Sequence, residues 1–297
     1  MREAKAMLHT RPLSPALGVE ILDLDLSRPF DEATRAELLD LYRRHHLLLL
    51  RDQKIDEAAQ VRFAEILGPI SHRSPSMRTK NSALVSNAEP EGILGDGKLY
   101  FHHDNTFFEH PLRALGLYAI EIPSEGGDTL FSNCAMVYDA LPATLRARIE
   151  TLSSYQMFDF GASFDYNQRS RDEDATPSAI RAIHPLVWTD PDTGRKVVFM
   201  SEHTTIRLLG CDEAEGEAIV AELARWIADP RFVYRHRWRV GDMILWDNMT
   251  LQHARESFDK RQRRTLRRTP IAETEGARRF PRSRQVAAPL PREHAGA

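Results

Sequence analysis

Cysteine is scarce. The 297 residues hold two, Cys134 and Cys211, too few and too far apart for a disulfide framework or a thiolate zinc site. A reducing, cytoplasmic compartment is the simplest expectation. Long apolar runs are also missing: the longest, Leu47–Leu50, is one buried strand's worth, far short of the ~20 residues that cross a bilayer. No membrane partner is therefore expected, and Met1-Arg2-Glu3-Ala4-Lys5 lacks the apolar stretch of a signal peptide. Nor does charge of one sign dominate. Lys plus Arg number 40 and Asp plus Glu 43, a net of −3, which removes the usual electrostatic argument for a nucleic-acid partner. What is present is an ordinary globular composition, 42% hydrophobic and 28% charged, which excludes a disordered or fibrous chain. An enzyme or a small-molecule binder is the class that remains, with homo-oligomerisation left open.

The first 70 residues read as strand, helix, strand, helix. Gly18–Leu26 alternates apolar and polar residues, and Asp31 stands where an N-cap would precede a helix with Leu38, Leu39 and Leu41 on its apolar face. Leu47–Leu50 follows as a strand, then Asp56–Leu67 as a second helix stopped by Gly68-Pro69. Beyond Ala83 the texture changes to short strands with turn signals: 84–86, 115–122, 129–131, 197–200, 234–240 and 242–246. Helices are expected over Ala135–Thr151 and Asp212–Ala228. The fold class is mainly β with flanking helices, a sandwich or jelly roll. One domain spans 1–271. Asp165–Thr176 is polar and reads as a loop that can serve as a lid, and 272–297, with Pro281, Pro289, Pro291 and scattered arginines, reads as a poorly packed tail.

The chemistry gathers in two places. Tyr100-Phe101-His102-His103-Asp104 holds the only His-x-Asp of the chain. On a strand, residues i and i+2 share a face about 6.6–7 Å apart, so His102 and Asp104 can close on one ion while His103 points away. Alone the motif is weak. The second place is 241–268, where a strand ending at Trp246-Asp247-Asn248 is followed by His253 and then by Arg263-Arg264-Thr265-Leu266-Arg267-Arg268. If that run is a strand, Arg264, Leu266 and Arg268 share a face. Guanidiniums turned into a barrel are costly unless an anion meets them. Two histidines and one carboxylate with open positions suit non-haem Fe(II). A 2-oxo acid chelating such an ion needs a cation for its far carboxylate. Arg264 is suited to that, with the Thr129 hydroxyl beside it.

These segments resemble the taurine / 2,4-dichlorophenoxyacetate family of Fe(II)- and 2-oxoglutarate-dependent dioxygenases. The likeness runs from about Leu13 to Ile271. It includes Leu49-Leu50-Arg51-Asp52-Gln53, His102-x-Asp104-x-Thr106-Phe107, Gly126-Gly127-Asp128-Thr129, His184-Pro185-Leu186-Val187, Trp246-Asp247-Asn248 with His253, and Arg264 with Arg268. The resemblance implies a double-stranded β-helix (jelly-roll, cupin-like) core. It assigns His102, Asp104 and His253 to iron, and Thr129 with Arg264 to 2-oxoglutarate. The spacings of eleven and fifteen residues from His253 to Arg264 and Arg268 are those of the taurine-type members. It also implies O₂ as co-substrate, hydroxylation of the organic substrate, and release of succinate and CO₂.

Arg268 stands where taurine-type members meet the substrate's anion, or else it supports the co-substrate. A small carboxylate, sulfonate or aryloxy acid is therefore expected. Other pocket positions depart from the taurine pattern: Lys98 four residues before His102, Thr204 after His203, and Tyr100-Phe101 in place of a tryptophan. His72, His203 and Phe160 complete the candidate substrate residues. Two other classes compete. A non-catalytic jelly-roll sensor would bind metal or an organic acid without turnover, and a zinc hydrolase would use the same His₂Asp set to activate water. The hydrolase gives no reason for the paired arginines.

Overall fold

Leu47–Leu50 is a run of leucines with no polar face, and it becomes a strand buried on both sides. Its neighbours are Val19–Ile21, parallel, and Met243–Asp247, antiparallel. The computed structural model describes residues 7–77, 79–161 and 171–290, apart from the side chain of Ser76. Among them, eight strands form the larger sheet, in the order Thr10–Pro12, Val19–Ile21, Leu47–Leu50, Met243–Asp247, Ala114–Glu121, Thr265–Ile271, Ala83–Ser86, Ile93–Leu94. A four-stranded sheet faces it, ordered Val233–His236, Thr129–Asn133, Leu251–Arg255, Leu99–His102.

Strand alternation decides which residues fill each layer. Leu47, Leu49, Leu115, Leu117, Ile244, Trp246 and Leu266 point inward to meet Phe131 and Leu251 between the sheets. Their strand neighbours Leu48, Leu50, Ala114, Tyr118, Met243 and Leu245 point outward and are covered by the helices Glu32–His45 and Glu57–Ala64. Behind the smaller sheet lies another core, built with the helix Glu213–Ile227. The result is the jelly roll expected from the sequence. No helix among the described residues is long and apolar enough to cross a membrane.

The caps behave as their residue types dictate. Asp31, Asp56 and Asp212 each accept a bond from the main-chain N–H three residues on, at 2.7–2.8 Å. Three expectations change. The helix expected over Ala135–Thr151 is two, Cys134–Ala140 and Ala143–Ile149, because Pro142 forces Leu141 into an extended conformation (φ −61, ψ 147). The strand expected over Tyr234–Val240 stops at His236. The loose tail is not loose to residue 290: Gly276–Arg279 is a helix, Phe280 is buried, and Arg284–Val286 pairs with Ala179–Pro185. Nor do all its arginines face solvent, since Arg279 is buried against Asp190, Asp192 and Glu273. Of the candidate lid, residues 165–170 lie outside the described residues. At its other end Asp172 pairs with Arg181 at 2.7 Å.

Candidate metal centre

The strand Leu99–His102 ends on the first candidate ligand. A strand dyad is not what unites His102 with Asp104. Asp104 lies beyond the strand, in a turn bent at Asn105, whose left-handed φ of 63° an asparagine tolerates. The turn returns the carboxylate so that its Oδ1 is 3.3 Å from His102 Nε2. His253 comes from Leu251–Arg255, directly opposite His102 in the antiparallel register, with ring centroids 4.1 Å apart. One donor atom from each of the three lies within 4.8 Å of the others.

The donor chemistry fits a metal ion. Two donors about 2.1 Å from one ion and at right angles are about 3 Å apart, close to the His102–Asp104 separation of 3.3 Å. His102 Nδ1 is 2.7 Å from the Tyr100 carbonyl. A carbonyl only accepts, so Nδ1 carries the proton and Nε2 keeps its lone pair for a metal. His253 Nδ1 is buried with no protein partner, so the protein alone does not complete this ring. Burial would raise the Asp104 pKa, but Arg268, His102 and His253 outweigh it and hold the group well below the usual carboxylate range. Burial pushes His253 down, with His102 adding to the effect, which keeps the ring neutral and able to ligate.

The turn is fastened by side chains that carry little signal in the sequence. Asn248 Oδ1 accepts from Asp104 N–H at 2.8 Å, and its Nδ2 donates to the carbonyls of Asp104 and Leu112 at 3.1 and 2.8 Å. Ser201 Oγ accepts from His103 N–H at 2.9 Å. His103 points away from the cluster, as strand alternation implied, with Nδ1 2.7 Å from the Asn248 carbonyl and its ring against Phe199. The Trp246-Asp247-Asn248 motif was the only signal for Asn248. Nothing in the sequence signalled Ser201 or the Tyr100 carbonyl.

Arg264, Leu266 and Arg268 are all buried, as a shared inward face requires, while Arg263 is exposed. Arg268 reaches the cluster itself, donating to Asp104 Oδ2 at 2.6 Å. Arg264, the residue just before the strand Thr265–Ile271, donates from Nε to the Gly127 carbonyl at 3.2 Å. Burial, reinforced by Arg255, pushes its pKa down to about 9, so it is still a cation at neutral pH. The Thr129 hydroxyl, buried two residues beyond Gly127, accepts from Trp238 Nε1 at 2.9 Å.

The profile described as "Taurine catabolism dioxygenase TauD, TfdA family" matches residues 9–269. The chain belongs to that family. It is similar to the alpha-ketoglutarate-dependent 2,4-dichlorophenoxyacetate dioxygenase of Cupriavidus pinatubonensis, 30% identical over 86% of this chain and 95% of that one. The (S)-phenoxypropionate/alpha-ketoglutarate-dioxygenase of Sphingobium herbicidovorans is 28% identical over 88% and 93%. Among solved structures, AAD-2 in complex with Mn(II) and N-oxalylglycine superposes with a TM-score of 0.77 at 26% identity, covering 91% of this chain and 99% of that one. The protein is thus a TauD/TfdA dioxygenase that uses Fe(II), 2-oxoglutarate and O₂.

The candidate substrate residues scatter more widely than the family's metal and co-substrate motifs. His203 is brought to the cluster: its ring meets His102 edge-on at 5.1 Å, and burial lowers its pKa to about 3. Phe160 joins an aromatic wall with Phe107 and Phe158, at centroid distances of 5.7 and 4.6 Å. Phe107 stacks on Phe158 at 4.8 Å and follows Asp104 by three residues, and it is absent from the substrate residues expected above. Thr204 is committed to the interior, its Oγ1 donating to Gln156 at 2.9 Å and lying 3.2 Å from Thr106 Oγ1. Lys98 lines a cavity of about 360 Å³ with Phe101, Leu130, Met200, Ile227 and Gln252, and none of the three candidate ligands lines it. His72 is exposed, its Nδ1 2.9 Å from the Met77 carbonyl.

Proposed function

We propose that this dioxygenase hydroxylates an aliphatic C–H of a small anionic organic substrate, with His102, Asp104 and His253 as the iron ligands. The balance is R–H plus 2-oxoglutarate plus O₂ giving R–OH, succinate and CO₂. The observation that carries the reading is the gathering of two imidazoles and one ionised carboxylate within 4.8 Å, with Arg268 on the carboxylate's outer oxygen. Iron, when bound, supplies the oxidant that couples decarboxylation of the 2-oxo acid to C–H hydroxylation.

The chain's own residues do the rest. Arg264 receives the far carboxylate of 2-oxoglutarate, and Thr129 adds a hydroxyl. A buried guanidinium with this little protein compensation is relieved when a carboxylate pairs with it. Arg268 orients Asp104 and stands where a substrate anion would meet it. Phe107, Phe158 and Phe160 offer ring faces, which favours an aryloxy or aryl carboxylate over taurine, in keeping with what the two sequence relatives are named for. His203, edge-on to the His102 ring at 5.1 Å, is a candidate to meet the substrate beside the metal ligands.

The test is anaerobic addition of Fe(II) and 2-oxoglutarate, followed by a panel of aryloxy acids, alkyl sulfonates and alkyl carboxylates. The expected results are a charge-transfer absorption band, its perturbation by the true substrate, and succinate formed with hydroxylated product once air is admitted. Absence of both the band and succinate across the panel overturns the reading.

A further inference from the structure

Residues 103–113 join two strands without belonging to any sheet. Several of their main-chain groups are instead satisfied by side chains arriving from two sides. Asn248 and Ser201 hold the near side. The far side is held by residues of the C-terminal stretch and the strand it pairs with. His184, from the strand Ala179–Pro185, is fully buried, with Nε2 2.7 Å from the Thr106 carbonyl and Nδ1 2.8 Å from Ser283 Oγ. The carbonyl accepts only, so Nε2 bears the proton and Nδ1 accepts from the Ser283 hydroxyl. One tautomer therefore serves both contacts, and burial keeps the ring neutral. Two residues on from Ser283, Gln285 accepts from Glu109 N–H at 2.9 Å, donates to the Phe107 carbonyl at 3.2 Å, and bonds the Arg181 carbonyl as well.

Arg284–Val286 is anchored by antiparallel pairing in which Ile183 faces Arg284 and Ala182 faces Gln285. Phe280 stacks on Trp188 at 5.8 Å and meets the His184 ring edge-on at 6.2 Å. Thr106, Phe107 and Glu109 are thus held against the C-terminal segment, two to five residues beyond Asp104.

We propose that His184, Ser283 and Gln285 form a latch that positions the turn bearing Asp104, so that the C-terminal segment helps set metal affinity. This rests on the metal-site reading above. All three act through the turn and are positioning residues. The imidazole of the His184-Pro185 motif thereby acquires a role, because it transmits the placement of Ser283 to Thr106, two residues from the carboxylate. The latch also places Phe107, so it fixes the aromatic wall and the carboxylate together.

The experiment titrates the metal-free protein with Mn(II), counting the free ion by electron paramagnetic resonance, and follows hydrogen exchange in the 104–110 peptide. Ser283→Ala removes the hydroxyl that Nδ1 accepts from and Ser283→Thr returns it. Gln285→Met keeps length and loses the polar contacts. The expected result is Mn(II) binding weakened about 10-fold in Gln285→Met and about 3-fold in Ser283→Ala, with faster exchange at 104–110 and recovery in Ser283→Thr. A merely stabilising segment would lower the melting temperature and leave Mn(II) affinity of the folded protein unchanged, which overturns the proposal. If Gln285→Met does not fold, the Ser283 pair decides the question. Wild-type protein that binds no Mn(II) overturns the metal-site reading itself and the latch with it. Wild-type binding with equal affinity in the variants overturns the latch alone.

Discussion

Arg268 donates to Asp104 Oδ2 at 2.6 Å while Oδ1 of the same carboxylate lies 3.3 Å from His102 Nε2. The two oxygens are thus divided between a cation and the imidazole that faces the metal position. This division holds the carboxylate ionised and ties Arg268 to the candidate centre itself.

Arg268→Met is expected to weaken Mn(II) or Fe(II) binding about 10-fold to 100-fold, since the carboxylate loses its outer partner. Equilibrium titration of the metal-free variant checks this. A rise in substrate KM alone, with metal affinity intact, contradicts the role.

Arg264→Gln is expected to weaken 2-oxoglutarate binding by about 3 kcal/mol, roughly 100-fold, because a buried charge pair loses one partner. Metal affinity is expected to stay near the wild-type value, as Arg264 donates to the Gly127 carbonyl and not to the three candidate ligands. Anaerobic titration of the charge-transfer band with 2-oxoglutarate reads the difference directly.

Phe160 is 37% exposed, so Phe160→Ala is expected to shift the melting temperature little. It is expected to raise the KM for an aryloxy acid about 10-fold, the worth of one lost aromatic contact. The KM for an alkyl substrate of similar charge is expected to change less, and parallel kinetics on the two substrates compare them.

His184 is buried, and burial lowers its pKa from 6.5 to about 4. The unfolded chain therefore binds the proton first as pH falls. The stability that comes from keeping this ring neutral is complete above pH 6.5, declines through the interval, and is lost by about pH 4, at a cost of about 3 kcal/mol. Urea unfolding of the metal-free protein between pH 7 and 4 is expected to show this decline, and His184→Gln a shallower one.

Much of the site was legible in the chain because its parts are local. The His-x-Asp pair and the alternating arginines are properties of spacing, and Arg264 and Arg268, four residues apart, are both buried. The shared strand face expected for His102 and Asp104 does not exist. A bend at Asn105 brings them together instead. Pro142 was equally readable as a break, and the apolar pattern on either side of it obscured that. The arginines of the C-terminal stretch suggested solvent, but ion pairing with Asp190, Asp192 and Glu273 buries Arg279 instead.

By itself the sequence determined the fold class, the residue types of the candidate centre and the charge of the two arginines that follow it. These depend on periodicity and on chemistry carried within single segments. Only the tertiary structure decided that Arg268 holds Asp104, that Lys98 lines a cavity which none of the three candidate ligands lines, and that His184 and Gln285 reach the turn after His102. The pairings that fasten this turn join residues 78 to 178 positions apart. No local pattern specifies which distant hydrogen-bonding group a main-chain carbonyl will find; the packing of the sheets selects it.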